Sequence, residues 1–140
     1  MDKAEYQSRL EELNSLVKKE DYEGALAVVE AVDWQRVKSL RTLGMVADVY
    51  EANKRYPEAK KILLMAYDRS SIGKGILYRL VEVSVKMKDF DEAIDFYNEF
   101  EAVARHDNSR YLLKYMFQGG IQALSRSYLG KIIPAERSGE

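Results

Sequence analysis

Few residues in this chain could do bond chemistry. His106 is the sole histidine, there is no cysteine, and His106 falls beside Asp107 in what reads as a turn between helices. With no second histidine and no thiol, the side chains for a zinc site, a Cys/His pair or a His-containing hydrolytic triad do not assemble. Paired carboxylates occur at Glu11/Glu12 and Asp91/Glu92, but on helix surfaces, where solvated charge is the ordinary state. The run Ser71-Ile72-Gly73-Lys74-Gly75 is glycine-poor beside a phosphate-binding loop, and it follows a helix rather than a strand. The ten tyrosines fall mostly on apolar stripes and read as core, not as a stacking platform for bases. No catalytic residue, metal ligand or cofactor site is assigned, and the chain reads as a non-enzyme.

Binding remains. The chain has 140 residues, 46% hydrophobic and 32% charged, with two prolines. That balance suits one soluble helical domain with a core of its own. A net charge of −1 gives no overall attraction to nucleic acid or anionic membrane, so neither is expected as a partner. The first residues, MDKAEYQSRLEEL, lack the apolar centre of a signal peptide. The longest apolar run, 62–67, falls far short of the ~20 residues that span a bilayer. With cysteine absent as well, a cytoplasmic location is expected.

The elements that must present a binding surface are helices. Tyr6, Leu10, Leu13, Leu16 and Val17 form one helical stripe over residues 4–19. Asp21 caps a second helix over 22–32. Asp33 is expected to cap a third from Trp34 or Gln35, carrying Val37, Leu40, Leu43, Val46, Ala47 and Tyr50 and ending near 53–55. A fourth spans 56–68, with Pro57 in its first turn, where a missing N–H costs nothing. A fifth carries Ile76, Leu77, Leu80, Val81, Val83, Ser84 and Met87, with Ser71 as its candidate cap and Gly73 and Gly75 weakening its first turn. A sixth runs from Phe90 to Ala104, capped by Asp89, and a seventh starts near Ser109 and breaks at Gly119-Gly120. No β alternation or hairpin dipeptide appears, so the predicted fold is all-α.

These helices repeat. Tyr22, Tyr56 and Phe90 recur at a step of 34 residues (56 − 22 and 90 − 56), and Ala25, Ala59 and Ala93 keep the same step. A fixed period in this range marks stacked supersecondary units. The 34-residue period, the helix–turn–helix in each unit and the aromatic-x-x-Ala opening of each second helix resemble tetratricopeptide repeats. Leu43, Ala47 and Tyr50 match the large, small and aromatic positions of that family's first helix. The family's unit-closing proline is absent, with Val37, Ser71 and Arg105 in its place, and Leu13 stands where a small residue is usual. The resemblance implies antiparallel helix pairs stacked as a short right-handed superhelix of about seven helices. It also implies a concave groove, lined by the first helix of each unit, that holds a peptide. Carried over residue by residue, the groove positions are Gln7, Leu10, Asn14, Val17 and Lys18 in the first unit, Arg41, Gly44, Asp48, Glu51 and Ala52 in the second, and Gly75, Tyr78, Glu82, Val85 and Lys86 in the third. Of these, Asn14, Lys18, Arg41, Asp48, Glu51, Tyr78, Glu82 and Lys86 are the candidate contacts. Asn14, Asp48 and Glu82 form a polar ladder at the repeat step. A clamp for acidic C-terminal peptides of the kind some family members carry is not matched, because only Asn14 fits it.

The repeat domain is expected over 1–118, as three units and a partial fourth, with a C-terminal helix and tail over 119–140. Tyr111, Leu112, Tyr115, Met116 and Phe117 give the seventh helix apolar residues on more than one side, unlike the polar cap that ends a repeat stack. Self-association through that helix, into a homo-oligomer, is the rival reading to a peptide-binding scaffold. A third is a regulatory fragment of a larger repeat protein. Residues 119–140 also resemble a fragment of major-facilitator-type permeases, which would imply a fusion or truncation junction.

Overall fold

The protein is described from a computed structural model covering residues 2–70 and 73–104. Six helices follow one another: α1 (Lys3–Lys18), α2 (Tyr22–Glu30), α3 (Leu40–Ala52), α4 (Tyr56–Arg69), α5 (Lys74–Lys86) and α6 (Phe90–Ala104). No strand occurs among the described residues. The chain divides after Ser70 into two compact units, the first holding α1–α4 and the second α5 and α6. The expected seventh helix, the break at Gly119-Gly120 and the boundary at 118/119 lie outside the described residues.

The 34-residue step is written into the backbone at three tight turns. Glu20, Lys54 and Lys88 stand at φ of 60°, 58° and 60°, each closing the first helix of a hairpin. Around them the Asp21 amide donates to the Leu16 carbonyl at 2.9 Å, Arg55 to Tyr50 at 2.8 Å and Asp89 to Ser84 at 2.9 Å. The left-handed residues themselves donate to Val17, Glu51 and Val85 at 2.9 Å in each case. This pair of crossed bonds is the Schellman arrangement, which satisfies carbonyls that a helix end leaves orphaned. The next helix then starts at once. Asp21 Oδ1 accepts from the Gly24 amide at 3.0 Å and Asp89 Oδ1 from Glu92 at 3.3 Å, while Arg55 makes no side-chain cap and α4 relies on Pro57 in its first turn. Each hairpin turn is thus closed by bonds among near neighbours in the sequence.

Packing then follows the expected stripes. Ala25, Ala59 and Ala93 are all fully buried, as close approach of the two helices of a hairpin demands. In the first unit they are joined by Leu13, Val28, Val29, Leu43, Val46, Ala47, Ile62, Leu63 and Ala66, and in the second by Leu77, Leu80, Val81, Tyr97 and Phe100. Full burial of a Leu or Val side chain contributes about 1.5–3 kcal/mol. Leu13, in the place of a small residue, is itself fully buried, but the other apolar residues of the α1 stripe are only half-covered. The short α2, nine residues against fourteen in α4, limits what α1 can pack upon.

The third helix departs from expectation. It begins at Leu40, not at Trp34 or Gln35, and Ser39 is its cap, with Oγ accepting from the Thr42 amide at 3.2 Å. Asp33 does turn the chain, its Oδ1 accepting from Gln35 N at 3.0 Å, but no helix follows. The cause is Trp34. Its side chain is buried, and Nε1–H donates at 2.9 Å to the Val29 carbonyl in the last turn of α2, which also accepts from the Val32 amide at 3.4 Å. An indole committed to that bond cannot also ride on a new helix. Val37 accordingly lies in the connector 31–39, and Leu40 is 40% exposed as the first residue of α3. The fifth helix likewise starts after Gly73, at φ 70°, a left-handed geometry that glycine tolerates without a Cβ clash. The proposed cap Ser71 lies outside the described residues.

Candidate partner-binding surfaces

The groove positions expected from the sequence divide between the two units. In the first unit, Asn14 and Lys18 lie on α1 and Arg41, Asp48 and Glu51 on α3. Asn14, Lys18, Arg41 and Asp48 are exposed and Glu51 is half-buried. In the second unit, Tyr78, Glu82 and Lys86 share α5, with Lys86 exposed and the other two half-buried. Val85 of the same helix is 3% exposed and belongs to the core, so the groove expectation is corrected there. Asp48, Glu51, Tyr78, Glu82 and Lys86 all interact with other residues of the chain.

Tyr78 shows how. Its ring meets Phe100 edge-on at 6.2 Å between centroids. Burial, and then the carboxylate of Glu82 one turn along α5, push its phenol above the usual value, so it remains a neutral hydrogen-bond donor. A polar phenol and a carboxylate, fixed at one helical turn on a half-covered face, suit a partner that offers both an acceptor and an amide or cation. The five apolar residues expected to drive self-association, Tyr111, Leu112, Tyr115, Met116 and Phe117, lie outside the described residues, as does His106.

In the first unit, Tyr50 sits among charges. Burial raises its pKa, the Glu30 and Glu58 carboxylates raise it further, and Arg55 partly offsets them. Arg55 reaches Glu30 at 3.9 Å and Glu58 at 3.2 Å. All three side chains are nearly half exposed, so each pair contributes well under about 1 kcal/mol. This cluster orders the surface and offers no chemistry of its own. Among the described residues no group of histidine and acidic side chains is arranged to hold a metal ion.

A concavity in the first unit went unseen in the sequence. The start of α1 and the connector line an open cleft of about 730 Å³. The connector is pinned at several points: the Trp34 indole on Val29, the Val37 amide on the Trp34 carbonyl at 3.0 Å, and the Arg69 guanidinium on the Gln35 carbonyl. Tyr6, on the opposite wall, meets the Trp34 ring edge-on at 6.3 Å between centroids. The signal that could have revealed this region was Ser39, a good N-cap just ahead of the Leu43/Val46/Ala47 stripe, which places α3 later and frees the preceding residues to form a wall.

No family model and no curated protein matches the chain. Solved structures do. The chain is similar to PcrH in complex with the chaperone binding region of PopD, at 10% identity and a TM-score of 0.62, over 88% of this chain and 92% of PcrH. It is similar to a MamA RS-1 ArsTM double mutant at 16% identity and a TM-score of 0.66, over 99% of this chain and 79% of that one. A second MamA structure, MSR-1 C2, matches at 15% identity and 0.62, over 94% and 77%. At such identities the likeness is one of fold. The protein has the all-helical, tetratricopeptide-type repeat fold. The permease resemblance of residues 119–140 finds no support in these comparisons. None of the described helices is long and apolar enough to cross a membrane.

Proposed function

We propose that this protein is a non-catalytic interaction scaffold that receives a peptide or protein segment along the first helices of its repeats. Asn14, Lys18, Arg41, Asp48 and Glu51 serve in the first unit, and Tyr78, Glu82 and Lys86 in the second. The observation that carries this reading is the fold likeness to PcrH, a protein solved with a segment of another protein bound. The polar character of the exposed α1 and α3 positions and the fixed Tyr78–Glu82 pair support it. The protein works in the cytoplasm. Helical grooves of this kind bind through a few anchor pockets and a polar surround.

The test is a pull-down from the source cell, with captured proteins identified by mass spectrometry and then confirmed with the purified partner. Asp48→Lys combined with Glu82→Lys is expected to abolish capture while far-UV circular dichroism stays unchanged. Unimpaired binding by that double variant, in a protein of intact helicity, would overturn the assignment of these faces.

A further inference from the structure

We propose that the cleft between the start of α1 and the connector 31–39 is a second binding site, for an acidic segment of a partner protein that carries an apolar side chain. None of the proposed groove contacts lines this site, and it does not depend on that reading.

Two features of the lining point to such a ligand. The first is an apolar floor made by Tyr6, Val32 and Val37, of which Val32 is buried and the other two half-covered. A floor of this kind accepts one aliphatic or aromatic side chain. The second is charge. Lys3, Arg36 and Lys38 stand at the rim, all exposed. Among the described residues no carboxylate pairs with any of them.

The two acids in the lining are already engaged. Asp2 Oδ1 accepts from the Glu5 amide at 2.7 Å as the cap of α1, and Asp33 Oδ1 accepts from Gln35 N at 3.0 Å. Each carboxylate thus has a backbone donor but keeps its charge, so the lining carries three cations against two anions, a net charge of +1. Cationic groups around an apolar floor complement an apolar residue flanked by Glu or Asp. The wall that bears Arg36 and Lys38 is held by the Trp34, Val37 and Arg69 bonds. The site is therefore formed before the ligand arrives, which lowers the ordering cost of binding.

The chain carries its own reporter. Trp34 is the sole tryptophan, and it touches Tyr6 on the cleft wall, so occupancy should alter its emission. The probe is the capped peptide Glu-Glu-Leu-Phe-Glu-Glu, which has no tryptophan or tyrosine, titrated into the full chain. The controls are Lys-Lys-Leu-Phe-Lys-Lys and Glu-Glu-Gly-Ser-Glu-Glu. The acidic apolar peptide is expected to bind saturably and to weaken several-fold as salt rises, because the rim charges are exposed and screened. Arg36→Glu with Lys38→Glu should weaken it about ten-fold or more, and Arg36→Ala with Lys38→Ala by a smaller factor in the same direction. Asp48→Lys with Glu82→Lys should leave it unchanged, which separates this site from the groove.

Four results would overturn the proposal. One is no saturable binding of the acidic apolar probe. Another is equal binding of the basic control. A third is loss of binding through the groove variant while both rim variants remain silent. The last is a Trp34 emission change driven by protein concentration alone, which would assign the cleft to a second copy of the chain.

Discussion

Replacing Glu20, Lys54 and Lys88 by glycine should stabilise the protein at each position. All three hold φ near 60°, where an L-residue with a Cβ is strained by roughly 1–2 kcal/mol relative to glycine. Glycine returns part of that gain, because it loses about 0.5–1 kcal/mol more backbone entropy on folding. The difference is a net gain of about 0.5–1 kcal/mol per turn, and about 2 kcal/mol for the triple variant if the sites add. With a urea dependence of roughly 2 kcal/mol per molar, each single variant should raise the unfolding midpoint by about 0.4 M. Far-UV circular dichroism reads all three, and Trp34 emission reads the first unit, where Glu20 and Lys54 lie. The alanine variants are the control. They keep a Cβ, so they retain the strain and should shift the midpoint little. If alanine stabilised as much as glycine, the benefit would come from removing the charged side chain rather than from the backbone. If glycine destabilised, the strain argument itself would fail.

Asn53 bridges two helices, its Nδ2 donating to the Tyr22 carbonyl at 2.9 Å and to Val49 at 2.8 Å. Asn53→Ala should cost about 1–3 kcal/mol in urea denaturation, and Asn53→Asp should not rescue it, because a carboxylate cannot donate. Ser84 Oγ is fully buried and makes no hydrogen bond, so Ser84→Ala should stabilise the fold by about 1 kcal/mol in the same assay. Tyr50 keeps its proton above the ordinary value of 10.0 in the folded state, whereas the unfolded chain releases it there. Its contribution to stability is therefore complete below about pH 10 and is lost as pH rises through the folded value. Tyr50→Phe should show a shallower alkaline fall in melting temperature than the parent, and an unchanged slope would contradict the cause assigned.

How far the sequence reached depended on whether a residue answered to its neighbours or to distant groups. Tyr22, Tyr56, Phe90 and the alanines three residues on expose the period because every hairpin solves the same local packing problem, and α6 falls where the pattern put it. The left-handed turns were hidden, because Glu20, Lys54 and Lys88 carry none of glycine's usual signal at such a position. Trp34 was misplaced on a helix for a different reason. Its indole answers to the Val29 carbonyl and the Tyr6 ring, and only the folded chain brings the connector and α1 together. The cleft shared that fate, since its lining comes from residues 2–6 and 32–39. The groove positions, by contrast, were drawn from the repeat resemblance, and among them Val85 is buried.

The connector has a consequence for how such a chain can change. Lys18, Ala52 and Lys86 end the first helices at the 34-residue step, and Leu40 precedes Lys74 by the same distance. The irregular stretch after α2 was therefore obtained without inserting a residue: helix was exchanged for loop at constant length. A designer, or natural variation, can rewrite the exposed positions of that stretch, such as Arg36 and Lys38, as one rewrites a word within a fixed metre. Every hairpin downstream keeps its place in the 34-residue step, so recognition can diversify at those exposed positions while Trp34 and Ser39 hold the stretch in place.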